Sequence, residues 1–126
     1  MFAQAAPPGS RILALSAAAP AGVKVWATSS PDGHIRVVVI DKRLAGGASV
    51  SLQIPGASGP AKVEQLLAPS LAATGGVTLG GQTFGAATTT GVLSGTPSSR
   101  TLAPASGRYV VTLPAPGATM LTFTGS

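Results

Sequence analysis

The stretch VKVWATSSPDGHIRVVVID, residues 23–41, sets two apolar-rich runs on either side of a turn cluster. The runs are Val23 to Thr28 and Ile35 to Ile40; Ser29, Ser30, Pro31, Asp32 and Gly33 between them give the pattern of a β-hairpin with a loop of several residues. Pro31 presets φ for a turn corner, Asp32 can hydrogen-bond the backbone ahead of it, and Gly33 accepts the positive φ that closes such loops. In the first run Val23, Val25 and Ala27 share one face while Lys24, Trp26 and Thr28 share the other, so one side is core and the other partly wet. In the second run Val37, Val38, Val39 and Ile40 are continuously apolar and β-branched, which predicts a central strand covered on both faces.

Outward from this hairpin, the chain breaks into short apolar runs between turn residues. Phe2 to Ala6 reads as the last turn of a helix, ended by Pro7, Pro8 and Gly9. Arg11 to Ser16 is a short strand, and Ala17 to Gly22 connects it to the hairpin. Asp41, Lys42 and Arg43 open a polar turn, in which Asp41 is expected to act as a cap, that runs on through Gly46 and Gly47. Val50, Leu52 and Ile54 alternate with Ser49, Ser51 and Gln53 in a half-buried strand stopped by Pro55 and Gly56. Lys62 to Leu67 is another strand, with Val63, Gln65 and Leu67 facing one way, in preference to a helix. Val77 and Leu79 form a brief strand between the glycine pairs at 75–76 and 80–81. Thr83 to Ser106 is a long ordered excursion or a set of short edge strands, anchored by Phe84, Val92, Leu93 and Leu102. Tyr109 to Leu113 and Ala118 to Phe123 read as a terminal hairpin around Pro114, Ala115, Pro116 and Gly117. Seven or eight short strands separated by turns predict an all-β fold, an antiparallel β-sandwich over residues 11–126, with residues 1–10 as a tail entering from elsewhere.

The 126 residues suit one domain able to bury roughly two thirds of its unfolded surface. Seventeen glycines and eleven prolines argue against long helices and for strands joined by turns. The formal charge is +5, but only Lys42 and Arg43 are adjacent among the basic residues. With single, scattered cations and few aromatic side chains to stack on bases, nucleic acid is not an expected partner. No cysteine is present, which removes disulfides and thiol chemistry. No apolar run approaches the roughly 20 residues that span a bilayer, so no membrane partner is expected. Residues 12–21 behind Arg11 only loosely imitate a signal peptide, and Pro7, Pro8 and Gly9 suit a linker better.

Catalytic constellations are thin. Glycoside hydrolysis uses two carboxylates across the sugar, and the acids here are Asp32 in a turn, Asp41 at a strand end and Glu64 on a strand. Each reads as structural or solvating. His34 is the only histidine, which excludes a multi-histidine metal site, and it reads as an exposed turn residue. No Gly-x-Ser-x-Gly elbow supports a serine triad, and the glycine pairs lack the Gly-Lys-Ser/Thr ending of a phosphate loop. No cofactor is implied. Trp26, opposite the core face of its strand, can stack on a sugar or pack under a neighbouring domain, and packing is the favoured reading. Trp26 and Arg36 are therefore the candidate contact residues, for an acidic glycan or for another domain. Tyr109 reads as partly buried with its hydroxyl reaching the surface.

Residues 66–85, LLAPSLAATGGVTLGGQTFG, carry a further signal. The leucine before Ala68 and Pro69, the run Gly76 to Gln82, Thr90 with Gly91, and Tyr109 in a strand ending at Leu113 and Pro114 resemble, in that order, the carboxy-terminal β-domain of glycoside hydrolase family 79, the β-glucuronidase and heparanase-like enzymes. Phe2 to Leu13 resembles the end of a preceding catalytic barrel and the return strand from it. The resemblance implies a non-catalytic accessory sandwich, extracellular, that packs in cis on a (β/α)₈ glycosidase domain carrying both catalytic glutamates; no catalytic residue carries over to this chain. A free-standing module for acidic glycans is the alternative.

Overall fold

The computed structural model describes residues 1–44, 47–84 and 90–124. Among these, one helical turn precedes ten strands: α1 (Phe2–Ala5), β1 (Arg11–Leu13), β2 (Ser16–Ala18), β3 (Val23–Ser29), β4 (His34–Asp41), β5 (Ser49–Gln53), β6 (Ala61–Leu67), β7 (Thr78–Leu79), β8 (Arg100–Leu102), β9 (Tyr109–Thr112) and β10 (Gly117–Thr124). All pairings are antiparallel. The larger sheet runs β1-β3-β4-β10-β6-β7, with β8 on the other half of the β6 edge, and the smaller runs β2-β5-β9. The expected β-sandwich is the fold. The turn at Gly46 and part of the excursion after Phe84 lie outside the described residues.

The β3–β4 hairpin forms for the local reasons its sequence gives. Asp32 Oδ1 accepts from the His34 amide at 3.0 Å, Gly33 donates to the Ser30 carbonyl, and Gly33 sits at φ +80, where a Cβ would be strained. Alternation then sorts the side chains. Val37 and Val39 are fully buried, while Val38 is half-buried and Ile40 is 37% exposed. The expectation of cover on both faces is thus corrected: β4 is central, but it has a second sheet only on its inner side.

The inner faces meet in one core. Val23, Ala27, Val37, Val39, Val63, Leu121 and Phe123 come from the larger sheet, and Val50, Leu52, Tyr109 and Val111 from the smaller. The last two strands are not a hairpin, contrary to the sequence reading. β9 pairs with β5 in the small sheet, and β10 inserts between β4 and β6 in the large one. The Pro114-Ala115-Pro116 link, with the Ala115–Pro116 bond cis, carries the chain across the sandwich. Both strands therefore point their apolar sides at each other, and Tyr109 meets Phe123 edge to face with ring centroids 4.7 Å apart. Tyr109 is also more buried than expected: it is 2% exposed and its hydroxyl donates to the Gly59 carbonyl at 2.8 Å. In the excursion, Leu102 packs on the core, whereas Phe84 and Val92 are exposed and anchor nothing there.

Candidate functional site

The two outer faces differ in chemistry. On the small sheet, Ser49, Ser51, Gln53 and Thr112 face out, with Val110 the apolar exception on β5 and β9. On the large sheet, Trp26 is 56% exposed and Ile12 76% exposed, and Ile40 joins them on the same side. A cavity of about 310 Å³ lies where Ile40, Leu66, Leu71, Val77, Pro116 and Ala118 converge. A second, of about 320 Å³, is lined by Met1, Leu66, Val77, Leu79, Phe84 and Leu93. Leu66 and Val77 belong to both, so the two cavities share an apolar floor. Exposed apolar surface concentrated on one face marks an interaction site, unlike apolar residues scattered singly.

Across this face runs the N-terminal turn. Met1 borders the apolar cavity, Ala3 and Gln4 overlook Arg36, Lys62 and Met120, and the Thr28 hydroxyl donates to the Ala5 carbonyl. Ala5 is buried, and Met120, on the outer side of β10, is only 4% exposed. Beyond the turn, the face becomes polar.

The structure brings Trp26 and Arg36 to the same outer face but not to one site. Trp26 stands opposite Val38, whereas Arg36 stands opposite Thr28 and lines a cavity that Trp26 does not border. The Arg36 guanidinium is already engaged: Nη2 donates to Asp32 Oδ2 at 2.7 Å and Nη1 to Ser30 Oγ at 2.5 Å. His34 is the first residue of β4, half-buried, with Nδ1 3.3 Å from Asp32 Oδ1. Its turn reading is corrected accordingly. Among the described residues no group of three His, Asp and Glu side chains converges as a metal site.

Asp41 fulfils the capping expectation and adds to it. Its carboxylate, 1% exposed, accepts from the Arg43 amide at 3.0 Å, from Nε at 2.8 Å and from Nη2 at 2.5 Å. These hydrogen bonds from Arg43 hold the Asp41 carboxyl below its ordinary 3.8 against the opposing effect of burial, and Arg36 with the His34 amide holds Asp32 lower still. Both folded pKa values lie below the unfolded ones, so the stability they confer is complete above the ordinary carboxylate range, begins to fall below it and is gone only once pH has passed the lowered folded values. A melting temperature that is flat from neutral pH to about pH 5 and drops below about pH 4 is the expected result; calorimetry across that range checks it.

The chain is thus a two-sheet antiparallel sandwich whose larger sheet leaves Ile12, Trp26 and Ile40 exposed on its outer face. Comparison with known families specifies which kind. The model of the glycosyl hydrolase family 79 C-terminal beta domain matches residues 23–120, and the chain belongs to that family. Among solved structures, similar chains include a GH30 endoxylanase from Clostridium papyrosolvens C71 (TM-score 0.62, 17% identity, covering 98% of this chain and 26% of that one). Others are CelM2, a bifunctional glucanase-xylanase from a metagenome library (0.55, 20%, 83% and 16%), and the GH51 arabinofuranosidase from Xanthomonas axonopodis pv. citri (0.55, 21%, 81% and 19%). At these identities the likeness is one of fold, and this chain spans a quarter or less of most of those chains' length. A comparison with curated proteins gives no match. The chain is thus a C-terminal accessory domain of the glycoside hydrolases.

Proposed function

We propose that this domain packs in cis on a (β/α)₈ glycosidase barrel through the outer face of its larger sheet, and stabilises an extracellular, β-glucuronidase-like enzyme. The observation that carries this reading is the contrast between the two outer faces. The side bearing Trp26, Ile40, Leu66, Val77 and Phe84 has the apolar area that a permanent interdomain contact buries, while the opposite side is furnished with Ser, Thr and Gln. The turn α1, whose Met1 abuts the apolar cavity, suits the end of a preceding barrel helix. Residues 1–10 then form the interdomain connection and residues 11–126 the sandwich.

The reading frame upstream of Met1 is the first test: an in-frame barrel with two glutamates is expected, and an immediate in-frame stop would sink the cis arrangement. In the whole enzyme, Ile40→Asp combined with Val77→Asp is expected to lower the melting temperature and activity together. In this domain alone, where both side chains are more than a third exposed, the same substitutions should lower the melting temperature less than they do in the whole enzyme. Equal effects in both contexts would refute the docking face.

A further inference from the structure

We propose that the polar end of the large sheet's outer face is a binding cleft for a short, neutral, hydroxyl-rich saccharide, distinct from the apolar docking surface. Asp32, His34 and Arg36 from the hairpin, Lys62 and Glu64 from β6, and Gln4 from α1 line one cavity of about 460 Å³. That volume falls within the roughly 300–1,000 Å³ of small-molecule sites. Only 9% of the chain is charged, yet two of its three acids and its only histidine meet here with an arginine and a lysine.

The lining selects the ligand class. Two carboxylates balance two cations, so the cleft has no net charge with which to favour an anion or a cation. What it offers is a set of polar groups beside the engaged Asp32–Arg36 pair: the Glu64 carboxylate, which accepts from hydroxyls, the Lys62 ammonium and the Gln4 amide, which donate to them, and the His34 imidazole, able to do either. Met120, almost fully covered, closes the floor of the cleft beneath these polar groups. Parts of the lining are held in place. Asp32 and Arg36 fix each other at 2.7 Å, and Gly80 packs so closely on Glu64 that a Cβ there would lie 2.8 Å from Oε1. Lys62 and Glu64 form no ion pair among the described residues, and they are the charged groups left to meet a ligand.

The proposal rests on the accessory-domain reading, and its test can fail separately. Isotope-labelled protein is titrated with neutral cello- and xylo-oligosaccharides and, in parallel, with oligogalacturonides of equal length, following backbone amide shifts. Saturable shifts at residues 32–36, 62–64 and 122 with the neutral sugars are expected. Glu64→Gln and Lys62→Met should each weaken binding roughly tenfold or more while leaving the melting temperature unchanged, and Trp26→Ala should leave affinity unchanged. Absence of shifts with neutral sugars, tighter binding of the uronates, or shifts centred on Trp26 would each overturn it. None of these results bears on the reading frame or on the Ile40 and Val77 variants that test docking.

Discussion

Phe123→Ala should lower the free energy of unfolding by about 3–5 kcal/mol, the usual cost of deleting a buried aromatic ring. Against a total of roughly 5–15 kcal/mol for a natural domain, that is enough to leave much of the protein unfolded at physiological temperature. The size follows from position. Phe123 is fully buried on β10, the strand that joins β4 to β6, and its ring meets Tyr109 from the opposite sheet. The alanine variant loses both the apolar burial and the contact that ties the two sheets together. Tyr109→Phe keeps the ring and deletes only the hydroxyl, leaving the Gly59 carbonyl without its 2.8 Å donor, so a loss of about 1–2 kcal/mol is expected. Urea denaturation of Phe123→Ala, Tyr109→Ala and the double variant closes a cycle whose coupling term should be about 0.5–1.5 kcal/mol. A coupling indistinguishable from zero would mean that the two rings stabilise the sandwich independently.

Local chemistry was legible in the sequence, and pairing between distant strands was not. The hairpin could be read from Pro31, Asp32 and Gly33 because an Asx turn and a positive φ are decided within a few residues. The period of two also placed side chains correctly: Lys24 and Trp26 face out, Val50 and Leu52 face in. That period states which side of a strand is buried and says nothing of which strand lies beside it. Hence β9 and β10, joined by four residues, read as a hairpin although each pairs elsewhere. The burial of the Tyr109 hydroxyl is hidden from the sequence for the same reason, since its acceptor lies fifty positions away. The polar cleft depends on β10 separating β4 from β6, which sets Arg36 and Lys62 on either side of Thr122. The signal available is parity: His34 and Arg36 on β4, like Lys62 and Glu64 on β6, alternate with the core-facing Ile35, Val37, Ala61 and Val63. Trp26, opposite the core face of its strand, does not border the cavity that Arg36 lines, and the groups that share it with Arg36 include the charged Asp32, Lys62 and Glu64.

Arg43→Met should lower the melting temperature by several degrees, more than is usual for an arginine that reaches the surface. The arginine is 28% exposed in its side chain, but its partner Asp41 is 1% exposed, so the two are not equivalent. Removing Arg43 strands a buried carboxylate on a single backbone amide; removing Asp41 frees a guanidinium to turn into water. Asp41→Asn should therefore cost less than Arg43→Met, an asymmetry that a simple pairwise salt bridge would not give. The pH dependence separates this from lost packing. The wild-type pair loses its contribution as pH falls below the ordinary carboxylate value of 3.8, and the methionine variant has no pair to lose. The gap between their melting temperatures should narrow from neutral pH to about pH 3; a constant gap would assign the loss to the aliphatic stem that packs against Gly22. The corner matters for more than stability. Asp41 and Lys42 border the same cavity as Ile40, Leu66 and Pro116, and Lys42 is tied to the Gly22 carbonyl at 3.1 Å. Locking Asp41 thus holds one rim of the apolar face in shape, so Arg43→Met should disturb amide signals at Ile40, Leu66 and Ala118 before the domain unfolds as a whole.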